Sequence, residues 1–143
     1  MPQLKFERHV PYSPAQMLGL VADLASYPRF VPNCSDMELR AEPGGTQLAR
    51  MAIRFGPINQ SYTSRVTVDE KQGIVAAQAL DGPFSHLDSC WTFQPEGAGT
   101  DVRFEIDFGL SNPLIAAVAE PAFAAKQTEI LDAFIAEAKR RFG

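Results

Sequence analysis

The sequence predicts an α+β domain, a seven-stranded antiparallel sheet covering one long C-terminal helix. Three observations predict it. Apolar and polar residues alternate with a period of two through most of residues 34–110. From Asn112 to Phe142 the apolar period becomes 3.6. A strand and a short capped helix come before both. Runs of strands followed by a helix read as α+β, and short connections favour a meander.

The elements follow in order. Leu4, Phe6 and Val10 mark the first strand, with Arg8 on the same side, and Pro11 ends it. Ser13, Pro14 and Gln16 form a helix start with capping-box spacing. Met17, Leu20, Val21 and Leu24 continue that helix. Pro28 should hold Tyr27 extended and stop the helix near Ser26. A turn or second helix fills Tyr27 to Val31. Residues 34–43 form a weak strand, and Pro43-Gly44-Gly45 a turn. Ala49, Met51, Ile53 and Phe55 alternate with Arg50 and Arg54 until Gly56-Pro57. Ile58, Tyr62, Val66 and Val68 share the apolar face of the next strand, with Gln60 and Ser64 as polar exceptions. Residues 74–80 form another strand, then Asp81-Gly82-Pro83 turns. Leu87, Trp91 and Phe93 share a face that also carries Ser89. Val102, Phe104, Ile106, Phe108 and Leu110 alternate with Asp101, Arg103, Glu105 and Asp107. The final helix starts at Asn112-Pro113 and is apolar along Ile115, Val118, Phe123, Ile130, Leu131, Phe134, Ile135, Ala138 and Phe142. Pro121 should kink or split it, and Lys139, Arg140 and Arg141 suit the negative end of its dipole.

Length and composition bound the function. The 143 residues fit a single domain, 1–143, large enough for one real core. With 45% hydrophobic and 21% charged residues the chain folds rather than staying disordered. A net charge of −4 opposes a sequence-independent grip on phosphates, and no basic stripe with exposed aromatics points to DNA or single-stranded nucleic acid. The start lacks a secretory pattern and no stretch is long and apolar enough to span a membrane, so a cytoplasmic setting with free thiols at Cys34 and Cys90 is expected.

The catalytic inventory is thin. His9 and His86 stand isolated in sequence, without Cys or carboxylate at metal-ligand spacing. Glu105 and Asp107 fall on the solvent face. No catalytic residue, metal or cofactor is expected. What remains is the aromatic content, ten Phe, three Tyr and one Trp. It serves either an ordinary core or a core with a lipophilic pocket, and composition permits both.

Three segments carry a resemblance. Tyr27-Pro28-Arg29-Phe30-Val31-Pro32-Asn33-Cys34, Asp81-Gly82-Pro83-Phe84-Ser85-His86-Leu87 and Trp91-Thr92-Phe93 resemble the coenzyme Q-binding branch of the START-like, polyketide-cyclase-type superfamily. The resemblance runs from about Gln3 to Phe142. It implies the helix-grip fold and binding of ubiquinone or a similar polyprenyl lipid, by a chaperone supporting respiration or quinone synthesis rather than by an enzyme. A bacterial subgroup with the same motifs resembles ribosome-association toxins, which implies a ribosomal subunit as the alternative partner. Distant polyketide-cyclase relatives leave an enzymatic reading as a third. On the first reading Tyr62, Leu87, Trp91, Phe104, Phe108, Phe123 and Phe134 form the pocket wall. Phe30 and Phe84, read as loop residues, guard the entrance. A quinone dissolved in a bilayer then calls for transient contact of such a loop with the inner membrane face.

Overall fold

A computed structural model describes residues 3–55 and 58–143. Seven strands form one sheet: β1 (Gln3–Val10), β2 (Cys34–Ala41), β3 (Gln47–Phe55), β4 (Ile58–Asp69), β5 (Ile74–Ala79), β6 (Phe84–Glu96) and β7 (Gly99–Leu110). Their spatial order is β1-β7-β6-β5-β4-β3-β2, and every neighbouring pair is antiparallel. Strands β2 to β7 are a meander, since short turns join antiparallel neighbours. β1 closes against the far strand, with Phe6 opposite Phe104. The Gly56-Pro57 break lies outside the described residues.

Among the described residues the sheet is joined by three α-helices: α1 (Pro14–Ala22), α2 (Tyr27–Phe30) and α3 (Pro113–Phe142). Both halves of the expected capping box are made at Ser13 and Gln16. Asn112 caps α3 by accepting from the Leu114 and Ile115 amides.

The segment after α1 departs from expectation. α1 stops at Ala22, and a single 3₁₀ turn over Leu24–Ser26 leads into α2. Tyr27 is helical, at φ −53° and ψ −44°, although Pro28 follows it. Tertiary contacts override the local preference. The Tyr27 hydroxyl donates to the Val21 carbonyl at 2.5 Å, and its ring meets Phe134 edge-on at 5.2 Å. Pro28 sits in the first turn of α2, where a missing N–H costs nothing.

α3 also differs. It runs unbroken through Pro121, so the proline does not split it. Its apolar stripe is only partly covered. Leu131, Phe134 and Ala138 are buried, whereas Val118 is 73% exposed and Ile115 is also exposed. The C-terminal half is held to the α1–α2 segment by charge. Arg141 bonds to Asp23 at 3.0 Å and to Glu137 at 2.8 Å.

The core lies between the inner sheet face and the helices. All five apolar residues read on β7, from Val102 to Leu110, are buried. On β4 the reading fails at two positions, since Gln60 and Val68 are exposed.

Candidate functional site

The inner face of the sheet is uneven, and that makes a cavity. At its middle the side chains are small. Ala49 of β3 faces Ser64 of β4, Ser64 faces Ala79 of β5, and Ala77 of β5 faces Ser89 of β6. Around this seam stand large groups: Trp91 and Phe104 on the sheet, and Phe123 and Phe134 on α3. Short side chains under a helix propped up by aromatic ones leave a cavity of about 150 Å³. The segment from Val31 to Cys34 closes one side, and Lys126, Gln127 and Ile130 of α3 line another.

The aromatic wall is continuous. Trp91 stacks on Phe104 at 4.4 Å and meets Phe134 edge-on at 4.9 Å. Such offset and edge-on pairs satisfy the ring quadrupoles and hold each ring in place.

The expected wall residues divide into two groups. Tyr62, Leu87, Trp91, Phe104, Phe123 and Phe134 line the cavity. Phe108, Phe84 and Phe30 stand behind it. Phe108 is fully buried with its ring 4.7 Å from that of Phe123. Phe84 is the first residue of β6 rather than part of a loop, and is buried between Tyr62 at 5.2 Å and Phe123 at 5.6 Å. Phe30 ends α2 and packs edge-on against Phe134 at 5.1 Å, with the Arg141 guanidinium 5.9 Å from its ring centre. Aromatic partners in the core hold both, and neither stands in a loop, since Phe30 ends α2 and Phe84 begins β6.

The cavity's polar groups are few. Ser64 and Ser89 bring hydroxyls to its floor, whereas Gln60, the third expected polar exception, is turned to solvent. Gln127 is 2% exposed, and its amide nitrogen donates to the Phe123 carbonyl at 3.1 Å. It was legible on α3, four residues after Phe123 and seven before Phe134, but a glutamine on a core stripe draws no attention in sequence. The Tyr62 hydroxyl donates to the Met51 sulfur at 3.7 Å.

Burial pushes the Tyr27 and Tyr62 phenols above their ordinary range. Burial likewise pushes the Cys34 thiol up to about 11. All three stay protonated at neutral pH, so none is a base or a thiolate, and Tyr27 and Cys34 already donate to the Val21 and Asp36 carbonyls. Lys126 at the rim is engaged with Glu129 at 3.0 Å. Among the described residues no carboxylate or imidazole lines the cavity.

Both histidines lie outside the cavity, and neither is isolated. Strand register brings Asp107 to His86 at 2.9 Å and Asp101 to His9 at 3.2 Å. Sequence spacing hid these pairs because their members come from different strands.

A sheet closed by a long helix over an apolar cavity defines a helix-grip protein with a ligand-binding architecture. The chain belongs to the polyketide cyclase/dehydrase and lipid transport family, whose pattern matches residues 10–135. Among curated proteins it is 31% identical over 140 residues to the ribosome association toxin RatA of Escherichia coli, covering 97% of this chain and 88% of that one. It is 29% identical over 139 residues to the mitochondrial coenzyme Q-binding protein COQ10 of Drosophila melanogaster, covering 94% of this chain and 57% of that protein. The Zhui aromatase/cyclase from Streptomyces shares the fold, with a TM-score of 0.89 at 18% identity and coverage of 99% and 96%. No helix among the described residues is long and apolar enough to cross a membrane.

Proposed function

We propose that this protein binds ubiquinone or a closely similar polyprenyl quinone in the cavity, as a carrier and not as a catalyst. The observation that carries this reading is an apolar cavity walled by Trp91, Phe104 and Phe134 and floored by the hydroxyls of Ser64 and Ser89. A quinone ring is flat and apolar, with carbonyl oxygens that only accept hydrogen bonds. Aromatic walls suit its faces, and the serine and Tyr62 hydroxyls suit its edge. No cofactor takes part, since carriage needs neither an acid–base pair nor a redox group of the protein. The protonated phenols and thiol support that reading, because cyclisation or dehydration needs a positioned base.

Volume limits what the cavity holds. About 150 Å³ is the size of an engineered cavity that takes up benzene, and pockets for larger ligands run to roughly 300–1,000 Å³. A bare ring fits that space, and the ring substituents and isoprenoid tail of ubiquinone need α3 to shift from the sheet. The first half of α3 is the less covered part, with Leu114 and Val118 exposed, although Glu120 accepts from the Leu110 amide at 2.9 Å.

Two measurements test the reading. Lipid extracted from purified protein and analysed by mass spectrometry should contain quinone. Added ubiquinone should quench the fluorescence of Trp91, the single tryptophan, in a saturable way. The absence of both quinone from the extract and saturable quenching would overturn the proposal.

Similarity to RatA along nearly the whole chain favours a second reading, association with a ribosomal subunit in the cytoplasm. Sedimentation of a lysate with added protein separates the two. Co-migration with a subunit and loss of joined ribosomes support the second, and an unchanged profile removes it.

A further inference from the structure

At the opposite edge of the sheet from β2, three strands place unlike donor groups side by side. We infer that His9, Glu96 and Asp101 form a binding site for a divalent transition-metal ion of the zinc type. The site is independent of the quinone reading.

Register creates it. His9 of β1 lies directly opposite Asp101 of β7. Asp101 lies opposite Gln94 of β6, and Glu96 follows two residues along β6, on the same face. Three adjacent strands thus contribute one ligand each. An imidazole nitrogen of His9 and a carboxylate oxygen from each acid all lie within 4.8 Å of one another.

Distances suit a small ion. Zinc bonds to histidine nitrogen and carboxylate oxygen at about 2.0–2.2 Å, so two ligands on a tetrahedron edge stand about 3.3–3.6 Å apart. His9 Nδ1 and Asp101 Oδ1 stand at 3.2 Å, which small side-chain rotations bring into that range. Three protein ligands and one water complete four-coordination. The nitrogen donor selects zinc, cobalt or nickel over calcium and magnesium, which prefer oxygen alone.

The backbone beneath is rigid. The fully buried Thr100 donates its hydroxyl to the Tyr12 carbonyl at 2.6 Å, tying the start of β7 to the chain after β1. Gly99 lies so close to the Val10 carbonyl oxygen that a Cβ there would collide with it. The ligands are thus held by two strand ends pinned together, which lowers the ordering cost of coordination. Charge also favours a cation. The Glu96 and Asp101 carboxylates stand together in this cluster, and a dication between them offsets their mutual repulsion. Among neighbouring charges Glu7 adds to the attraction and Arg103 opposes it, and the two pair with each other at 3.8 Å.

Isothermal titration of the full chain with zinc chloride, in a buffer that does not chelate metal, tests the site. A variant carrying Cys34→Ser and Cys90→Ser serves as the parent, so that thiols cannot supply a competing site. One zinc per chain should bind saturably with micromolar affinity. Loss of an outer partner alone costs a metal site about 10- to 100-fold, so His9→Ala and Asp101→Asn should each weaken binding at least about tenfold. Both substitutions lie at the sheet surface, and a thermal melt verifies that each variant folds. Calcium chloride should give no saturable heat. Uptake that never saturates, equal affinity in the His9→Ala variant, or calcium binding as tightly as zinc would each overturn the inference.

Discussion

Phe134 is the side chain through which α3, α2 and the sheet meet. Its ring lies 5.2 Å from Tyr27, 5.1 Å from Phe30 and 4.9 Å from Trp91, and it is 2% exposed. Truncating a buried phenylalanine costs about 3–5 kcal/mol, from lost transfer energy and the void left behind. Phe134→Ala should therefore lower urea-unfolding stability by about that amount and weaken quinone binding. A loss below about 1 kcal/mol would show that the wall collapses to fill the space. A few residues further on, Arg140 and then Arg141 hold the Glu137 carboxyl down to about 2 from the ordinary 4.5. A lowered folded-state value means that this stabilisation is complete above about 4.5 and is lost as pH falls toward 2. In thermal melts Glu137→Gln should thus be less stable than wild type at pH 7, with the gap closing between pH 4.5 and 2. At this scale the aromatic residues were readable from strand alternation. Their division into lining and backing residues was not, because Phe108 and Phe104 sit on one strand face and differ only in what lies above them.

On the scale of elements, α3 divides into two halves. Its C-terminal half is fastened by buried Leu131, Phe134 and Ala138 and by the Asp23–Arg141 pair. The Ser26 hydroxyl, then Arg141, hold the Asp23 carboxyl below its usual range, so that pair persists in mild acid. Its N-terminal half exposes Leu114 and Val118 and contains Pro121, which has no amide to donate within the helix. An interior proline costs a helix up to about 3 kcal/mol. Because Pro121 is exposed, Pro121→Ala should stabilise the fold by part of that amount, read as a higher urea midpoint. If the first half opens to admit the tail, the same variant should also slow quinone uptake in stopped-flow quenching. An unchanged uptake rate would place the opening elsewhere. Helical periodicity marked both ends of α3, since Asn112 and the run Lys139 to Arg141 are local signals. It could not tell a covered stripe from an exposed one, because Val118 and Leu131 fit the same 3.6-residue pattern.

For the whole molecule, the cavity couples binding to stability. A ligand that binds only the folded state at 100 times its dissociation constant adds about 2.7 kcal/mol. For a domain of this size that raises the melting temperature by several degrees. Ubiquinone should produce such a shift, and Trp91→Ala should abolish most of it while the protein remains folded at room temperature. A shift of the same size in that variant would place the ligand outside the cavity.

The class and order of the elements follow from the chain alone, because alternation and helical periodicity are local and survive without knowledge of neighbours. The same holds for the capping box at Ser13 and for most of the inward face of β7. Short connections also pointed to the meander, but strand register and the pairing of β1 with β7 came only with the folded sheet. The seam of Ala49, Ser64, Ala77 and Ser89 that hollows the core is a product of register. So is the meeting of His9 with Asp101, 92 residues away in sequence. Side chains from distant segments acquire a common environment only when backbone pairing fixes their offset to the residue. Tyr27 makes the same point at a single position, where one hydroxyl bond and a ring contact outweigh the preference that Pro28 imposes.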